Sequence, residues 1–305
     1  MHESMTRRDF IQTTGALTGA AIAAGGLLPG LATSMASGAM RPSANRMKVG
    51  VVGCGGRGTG AAVNILEASD DVEIVALGDL FKDRTDSARE ELGKLDKALA
   101  ERVKVSDDRV FNGFDAYKSV IGSGVDIVIL ATCPGFRPTH FAAAIEAGKH
   151  VFMEKPVATD PAGIRSVLAS VKKAADKKLS VVTGTQRRHE ACYLEAIKRI
   201  NDGDIGKVLS ASVYWNQGPL WHKKHEKDWS DMEWQVRNWL YFTWLSGDHI
   251  VEQHVHNLDV AHWVMGETPA NCMGMGGRQV RTRPEFGHIF DHFALEFEYA
   301  DGRHV

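Results

Sequence analysis

Cysteine is scarce: the 305 residues hold four (Cys54, Cys133, Cys192, Cys272), with no CxxC pair and no zinc-ligand spacing. A disulfide-stapled miniprotein is thereby excluded. An excess of one charge is also lacking, since 36 Lys and Arg face 38 Asp and Glu for a net charge of -2. That balance argues against a general electrostatic grip on nucleic acid. Long apolar runs are missing as well. The one weakly apolar stretch, Thr13 to about Leu31, is broken by Gly15, Gly19, Gly25, Gly26 and Pro29. A membrane helix wants about 20 predominantly apolar residues, so no stable span is expected. What is present is ordinary globular composition, 44% hydrophobic and 24% charged, in a chain long enough for two domains.

Thr6-Arg7-Arg8-Asp9-Phe10 before that weak apolar stretch reads as a twin-arginine export signal. Ser34-Met35-Ala36 and Ser37-Gly38-Ala39 both offer small-residue cleavage sites. Residues 1–46 are thus read as signal and linker, and the protein is expected in the periplasm or otherwise exported. The twin-arginine route carries folded proteins, which suits a cofactor loaded before export.

From Met47 the pattern changes. Met47–Val52 is a short β-branched run that flows into Gly53-Cys54-Gly55-Gly56-Arg57-Gly58, a GxGxxG, with a helical segment following at Ala61–Leu66. Gly53 allows a tight turn, Gly55 lets backbone approach a pyrophosphate, and Gly58 allows close helix–strand packing. A second strand, Val72–Asp79, ends in an acid 21 residues after Gly58. Asp79 is placed to accept from a ribose diol and to repel a 2′-phosphate, which favours NAD. Lys82 and Arg84 follow closely enough to take such a phosphate, so NADP stays open. Strands at Val125–Thr132, His150–Glu154 and Leu179–Thr183 alternate with helices at Thr139–Gly148 and Asp160–Lys177. The fold class is therefore α/β, with a doubly wound Rossmann domain over residues 47–185. Ligands sit outside the carboxyl ends of such strands. The expected cofactor set is Gly53, Gly55, Gly56, Arg57, Gly58, Asp79, Thr132, Pro134, His140, Glu154 and Lys155.

Three segments together resemble the Gfo/Idh/MocA family of NAD(P)-dependent, mostly sugar-directed oxidoreductases. They are the glycine loop, Glu146-Ala-Gly-Lys-His-Val-Phe-Met-Glu-Lys-Pro156, and Glu252-Gln-His-Val-His-Asn-Leu-Asp259. The resemblance implies that Lys155 contacts substrate or catalyses, and that residues at the Glu252 and His256 positions form the catalytic pair. The family has Asp where Glu252 stands, and Gly where His254 stands. Four residues apart on a helix, Glu252 and His256 would share a face, the carboxylate fixing the imidazole tautomer and raising its pKa.

Residues 186–305 are expected to form a substrate and oligomerisation domain of α+β type with a mostly antiparallel open sheet. Leu209–Tyr214 opens it as a strand, and Phe290–Tyr299 alternates as another. All seven tryptophans lie between Trp215 and Trp263. Arg187, Trp215, Arg237, His249, His254 and Asp259 are the substrate-binding candidates, with Asn216, Asn238 and Asp248 as further partners for hydroxyls. Eight of the thirteen histidines fall between His222 and His292. No segment carries an established ligand signature, so no metal is expected. The open sheet suits a homo-oligomer. The chain stops three residues after a hairpin turn at Asp301-Gly302, which suggests a piece of a longer protein or an edge covered by a partner.

The leading reading is an exported NAD(P)-dependent oxidoreductase acting on a sugar, polyol or glycoside. A glycoside hydrolase or lyase using bound NAD transiently is the first alternative. A non-catalytic sugar- or nucleotide-binding protein on the same scaffold is the second.

Overall fold

The computed structural model describes residues 46–305, so the expected signal, with Arg7-Arg8 and both cleavage sites, lies outside the described residues. Six strands form one parallel sheet: β1 (Met47–Val52), β2 (Val72–Asp79), β3 (Val110–Asn112), β4 (Ile127–Leu130), β5 (His150–Met153) and β6 (Val181–Thr183). Their order across the sheet is β3-β2-β1-β4-β5-β6. Helices α1 (Gly56–Ala68), α2 (Lys82–Gly93), α3 (Ala116–Gly122), α4 (Arg137–Glu146) and α5 (Pro161–Asp176) make the crossovers. The central strands β1, β2 and β4 are mostly apolar and buried because both faces are covered. Along β4, Val128 and Leu130 enter one core cluster with Phe141 and Ile145, while Ile129 enters the other with Val49 and Leu66. That is the period-two pleat at work.

Strand order reverses between β1 and β4, and the loops that leave these two strands open a crevice at their carboxyl ends. The expected elements are found with shifted ends. Helix α1 starts inside the glycine motif, and α4 ends just before Gly148, which takes the left-handed conformation at φ 71°. Helix α5 is capped by Asp160, whose side chain accepts from Gly163 N at 2.8 Å.

The second half carries α6 (Ala191–Asn201), α7 (Asp231–Arg237) and α8 (Val255–Met265), the last preceded by a π-helical turn over Ile250–His254. Its sheet is small: β7 (Asn271–Gly277) pairs antiparallel with β8 (His292–Glu298). Leu209–Tyr214 does not form the expected strand. A strand needs a ladder, and among the described residues this segment meets another main chain in a single bridge, Ser210 to His304. No described helix is long and apolar enough to cross a membrane.

Phe141 is fully buried between the sheet and the helices on that face. Phe141→Ala should lower unfolding free energy by about 3–5 kcal/mol in urea titrations; a loss below about 1 kcal/mol would contradict this account of the core.

Candidate active site

The glycine loop divides into two backbone requirements and one open cradle. Gly53 has φ 93°, and a Cβ there would stand 2.6 Å from the backbone of Ala131 and Thr132. A Cβ on Gly58 would stand 1.8 Å from Gly53 O. Gly55 and Gly56, by contrast, have nothing within 4 Å of where a Cβ would be. Helix α1 begins there with no side chain capping its first turn, so its amides and dipole face an open cavity suited to a pyrophosphate. The cavity, about 640 Å³, extends past Asp79, Phe81, Arg84 and Thr132.

Asp79 ends β2 with both oxygens in use: Oδ2 accepts from Cys54 N at 2.7 Å and Oδ1 from Phe81 N at 3.0 Å. Burial raises its pKa, and the two amides and Arg84 oppose that rise. Each oxygen keeps a lone pair for a ribose hydroxyl. An open glycine cradle ending in a fixed carboxylate fits NAD. The nearby thiols are not nucleophiles, because burial pushes Cys133 up to about 12 and Cys54 higher still.

The loops after β4 and β5 are tied together by a residue that sequence reading passed over. Arg137 is buried at the start of α4 and donates to Thr132 O and to Pro156 O. Burial lowers its pKa to about 10, which leaves it cationic. Thr132 Oγ1 lies 3.2 Å from His140 Nδ1, and the His140 ring stacks on Tyr117 at 4.1 Å. Burial, then Arg137, brings His140 down to about 4, so it is neutral. Pro134 is buried at the head of the turn that leads into α4.

At the end of β5, Glu154 is buried and pairs with Arg57 of the glycine loop at 3.1 Å. Gly184 makes room for it, since a Cβ there would stand 2.5 Å from Glu154 Oε2. Arg57 lines both the glycine-loop cavity and a second one of about 640 Å³ that holds Lys155 and His256. Lys155 Nζ donates to Glu252 Oε1 at 2.6 Å and to Glu252 O at 2.5 Å, with both side chains nearly excluded from solvent.

Glu252 and His256 do not form the expected pair. The hydrogen bonds of the Glu252 carboxylate go to Lys155 and Gln253. The π-helical turn carries Glu252 and widens the spacing, so a residue four positions on no longer stacks above it. His256 instead stacks on Trp215, with ring centroids 5.5 Å apart. Its pKa is lowered to about 4 rather than raised, by burial first and then by Lys155 and Arg187.

The other substrate-binding candidates scatter. Arg187 donates to Asn257 and lies over the rings of Tyr193 and Trp215. Asp259 is held in a fork by Arg188 at 2.8–3.0 Å. Arg237 lies away from His256, on the wall of the glycine-loop cavity, bonded to Asp83 at 2.9 and 3.0 Å and stacked on Phe81. Asn238 and Asp248 serve the scaffold. Asn238 accepts from Lys223 N and donates to Glu285 O, and Asp248 accepts from His249 N and Phe290 N. His249 and His254 meet at 3.2 Å in a separate cavity with Trp215 and Asn216. Among the described residues, no group of three or more His, Cys, Asp or Glu is gathered as for a metal.

Residues 47–183 match the family profile described as "Oxidoreductase family, NAD-binding Rossmann fold", and residues 193–305 match the "GFO/IDH/MocA C-terminal domain". The chain is 25% identical over 238 residues to an inositol 2-dehydrogenase/D-chiro-inositol 3-dehydrogenase of Lactiplantibacillus plantarum, covering 77% of this chain and 57% of that protein. It is 29% identical over 180 residues to a 2,7-anhydro-N-acetylneuraminate hydratase of Escherichia coli, covering 59% and 44%. It thus spans about half the length of these curated relatives. The fold is that of myo-inositol 2-dehydrogenase from Lactobacillus plantarum, with a TM-score of 0.63 at 19% identity over 85% of this chain and 68% of that one.

Asp79→Ala should weaken NAD binding by about 10- to 100-fold, the worth of a hydrogen bond to a charged group, and narrow the preference over NADP. Fluorescence titration with both dinucleotides checks this. Unchanged NAD affinity would remove Asp79 from the site.

Proposed function

The chain belongs to the GFO/IDH/MocA oxidoreductase family, and from that premise we propose an NAD-dependent oxidoreductase that acts on a polyol or sugar. One observation carries the reading: Lys155 and neutral His256 line a single cavity, and Arg57 of the glycine loop stands on its wall. NAD, held by the glycine loop and Asp79, would supply the acceptor for the carbinol hydride. Lys155 has three N–H groups, two of which go to Glu252; the third is free to donate to the reacting oxygen. His256 takes the hydroxyl proton, and the carbinol becomes a carbonyl. Glu252 is a positioning residue: it holds the amine and touches no substrate.

Burial of His256 gives this chemistry a ready base. With its pKa lowered to about 4, the imidazole is unprotonated through the whole neutral range. The cations that lower it, Lys155 and Arg187, also favour negative charge developing on the substrate oxygen.

A redox-neutral cycle is the second reading, supported by the relative named as a hydratase. Oxidation of one hydroxyl would acidify the neighbouring C–H, elimination or hydration would follow, and the cofactor held at the glycine loop would supply the hydride back for no net redox change. Export by the twin-arginine route is part of the proposal and favours such recycling, since free NAD is scarce outside the cytoplasm. Arg7-Arg8 and the weak apolar stretch behind them support it.

His256→Ala should slow NAD reduction by inositols or aldoses about 10²- to 10⁴-fold, read from reduced-nicotinamide absorbance. In the unmutated protein the acid limb of kcat/KM should fall near pH 4, because the base is lost only as pH drops through its lowered pKa. An acid limb at the ordinary histidine value of about 6.5, or an active alanine variant, would remove His256 as the base.

A further inference from the structure

In the glycine-loop cavity the open amides suit the pyrophosphate of a dinucleotide and Asp79 suits a ribose, while the chemistry above falls to the cavity of Lys155 and His256. One end of the glycine-loop cavity is thereby left unassigned. Its walls come from both halves of the chain: Phe81, Arg84 and Phe136 from loops of the sheet, and Trp221, Arg237 and Trp239 from the second half. The match to the NAD-binding family profile ends at residue 183, so it gives the last three no part in holding a cofactor.

Trp221 is half exposed, at 48%, and its ring meets Trp239 in a T-shaped contact with centroids 6.0 Å apart. The main chain on either side of it is pinned. Tyr241 donates its hydroxyl to Leu220 O at 2.9 Å, Lys223 N donates to Asn238 Oδ1 at 2.8 Å, and Trp234 Nε1 donates to Lys223 O at 2.8 Å. Asn238 is itself fully buried. A large aromatic face held open on a cavity by a fixed backbone suits a flat, apolar partner.

The wall that carries Trp221 is fastened to the sheet next to Asp79. Arg237 donates to both oxygens of Asp83 at 2.9 and 3.0 Å, and its guanidinium lies 3.8 Å from the centre of the Phe81 ring. Val236, Phe242 and Leu245 form a small core against which Leu80, Phe81 and Phe136 pack. A Cβ on Gly135 would clash with Trp244 O, so the turn after β4 meets the second half at close range. The aromatic wall and the ribose-binding carboxylate are thus held in one frame.

We propose that Trp221 is the stacking wall for the adenine base, so that the second half of the chain holds the cofactor as well as the substrate. Trp239 backs its ring, and the Arg237–Asp83 pair keeps the wall against the loop that follows Asp79. The inference rests on the dinucleotide reading of the glycine loop and extends that site beyond the sheet.

The test is calorimetric titration of the full chain with NAD and with ADP-ribose, which keeps the adenosine and the pyrophosphate but lacks nicotinamide. Trp221→Ala should weaken both ligands by the same factor, about tenfold. Because the side chain is half exposed, its removal leaves the core filled. Trp221→Phe keeps an aromatic face and should bind both ligands within about threefold of the unmutated chain. A loss confined to NAD would place Trp221 at the nicotinamide end and overturn the proposal. So would a loss that phenylalanine does not recover, or affinities that the alanine variant leaves unchanged; each of these leaves the dinucleotide reading standing. No binding of either ligand by the unmutated chain would overturn both.

Discussion

One buried ion pair sets the geometry of the candidate site. Lys155 leaves the end of β5, and Glu252 sits in the π-helical turn ahead of α8, 97 residues later in the chain. Their 2.6 Å contact, supported by the second bond from the amine to Glu252 O, joins the dinucleotide-binding sheet to the second half. Removing one partner of such a pair leaves an uncompensated buried charge, a loss of about 3–5 kcal/mol. This contact fixes the turn ahead of α8, and the bonds from Arg187 to Asn257 and from Arg188 to Asp259 hold the helix that presents His256. Arg137 does a related job within the sheet, holding the loops after β4 and β5 in fixed register so that Lys155 starts from a defined place.

The same region has a consistent electrostatic character. His140 and His256 are pushed toward neutrality by burial, and Arg137, Lys155 and Arg187 add to the effect. A cluster that carries its positive charge on Arg and Lys while its histidines stay neutral has a division of roles. The fixed cations attract phosphate and developing oxyanions, and the histidines keep their acceptor nitrogens. Glu154 pairs with Arg57, whose side chain lines both large cavities.

The sequence made the dinucleotide-binding half readable because its signals are local. Apolar strands, the glycine loop, Asp79 and Glu154-Lys155-Pro156 each sit within a few residues of the element that positions them. The doubly wound parallel sheet follows from strand–helix alternation with right-handed crossovers. The second half was less readable because its determinants are distant in sequence. Nothing near Glu252 indicates that Lys155 will take its carboxylate, and a π-helical turn has no composition of its own, so regular helical spacing misassigned the partner. Arg137 was passed over because an arginine at a helix start ordinarily points to solvent. Arg237 was placed with the substrate on composition, but Asp83 and Phe81 hold it at the cofactor side. Leu209–Tyr214 has the alternation of a strand without the neighbour that would make it one.

Lys155 and Glu252 act as a unit, and a double-mutant cycle measures their coupling. Lys155→Met, Glu252→Gln and the double variant would be compared by the rate of NAD reduction in single turnover with a polyol that the unmutated protein oxidises. If the pair acts as a unit, each single variant loses about as much as the double. Losses that multiply in the double variant would mean that the two residues act independently, and would contradict this account of the site.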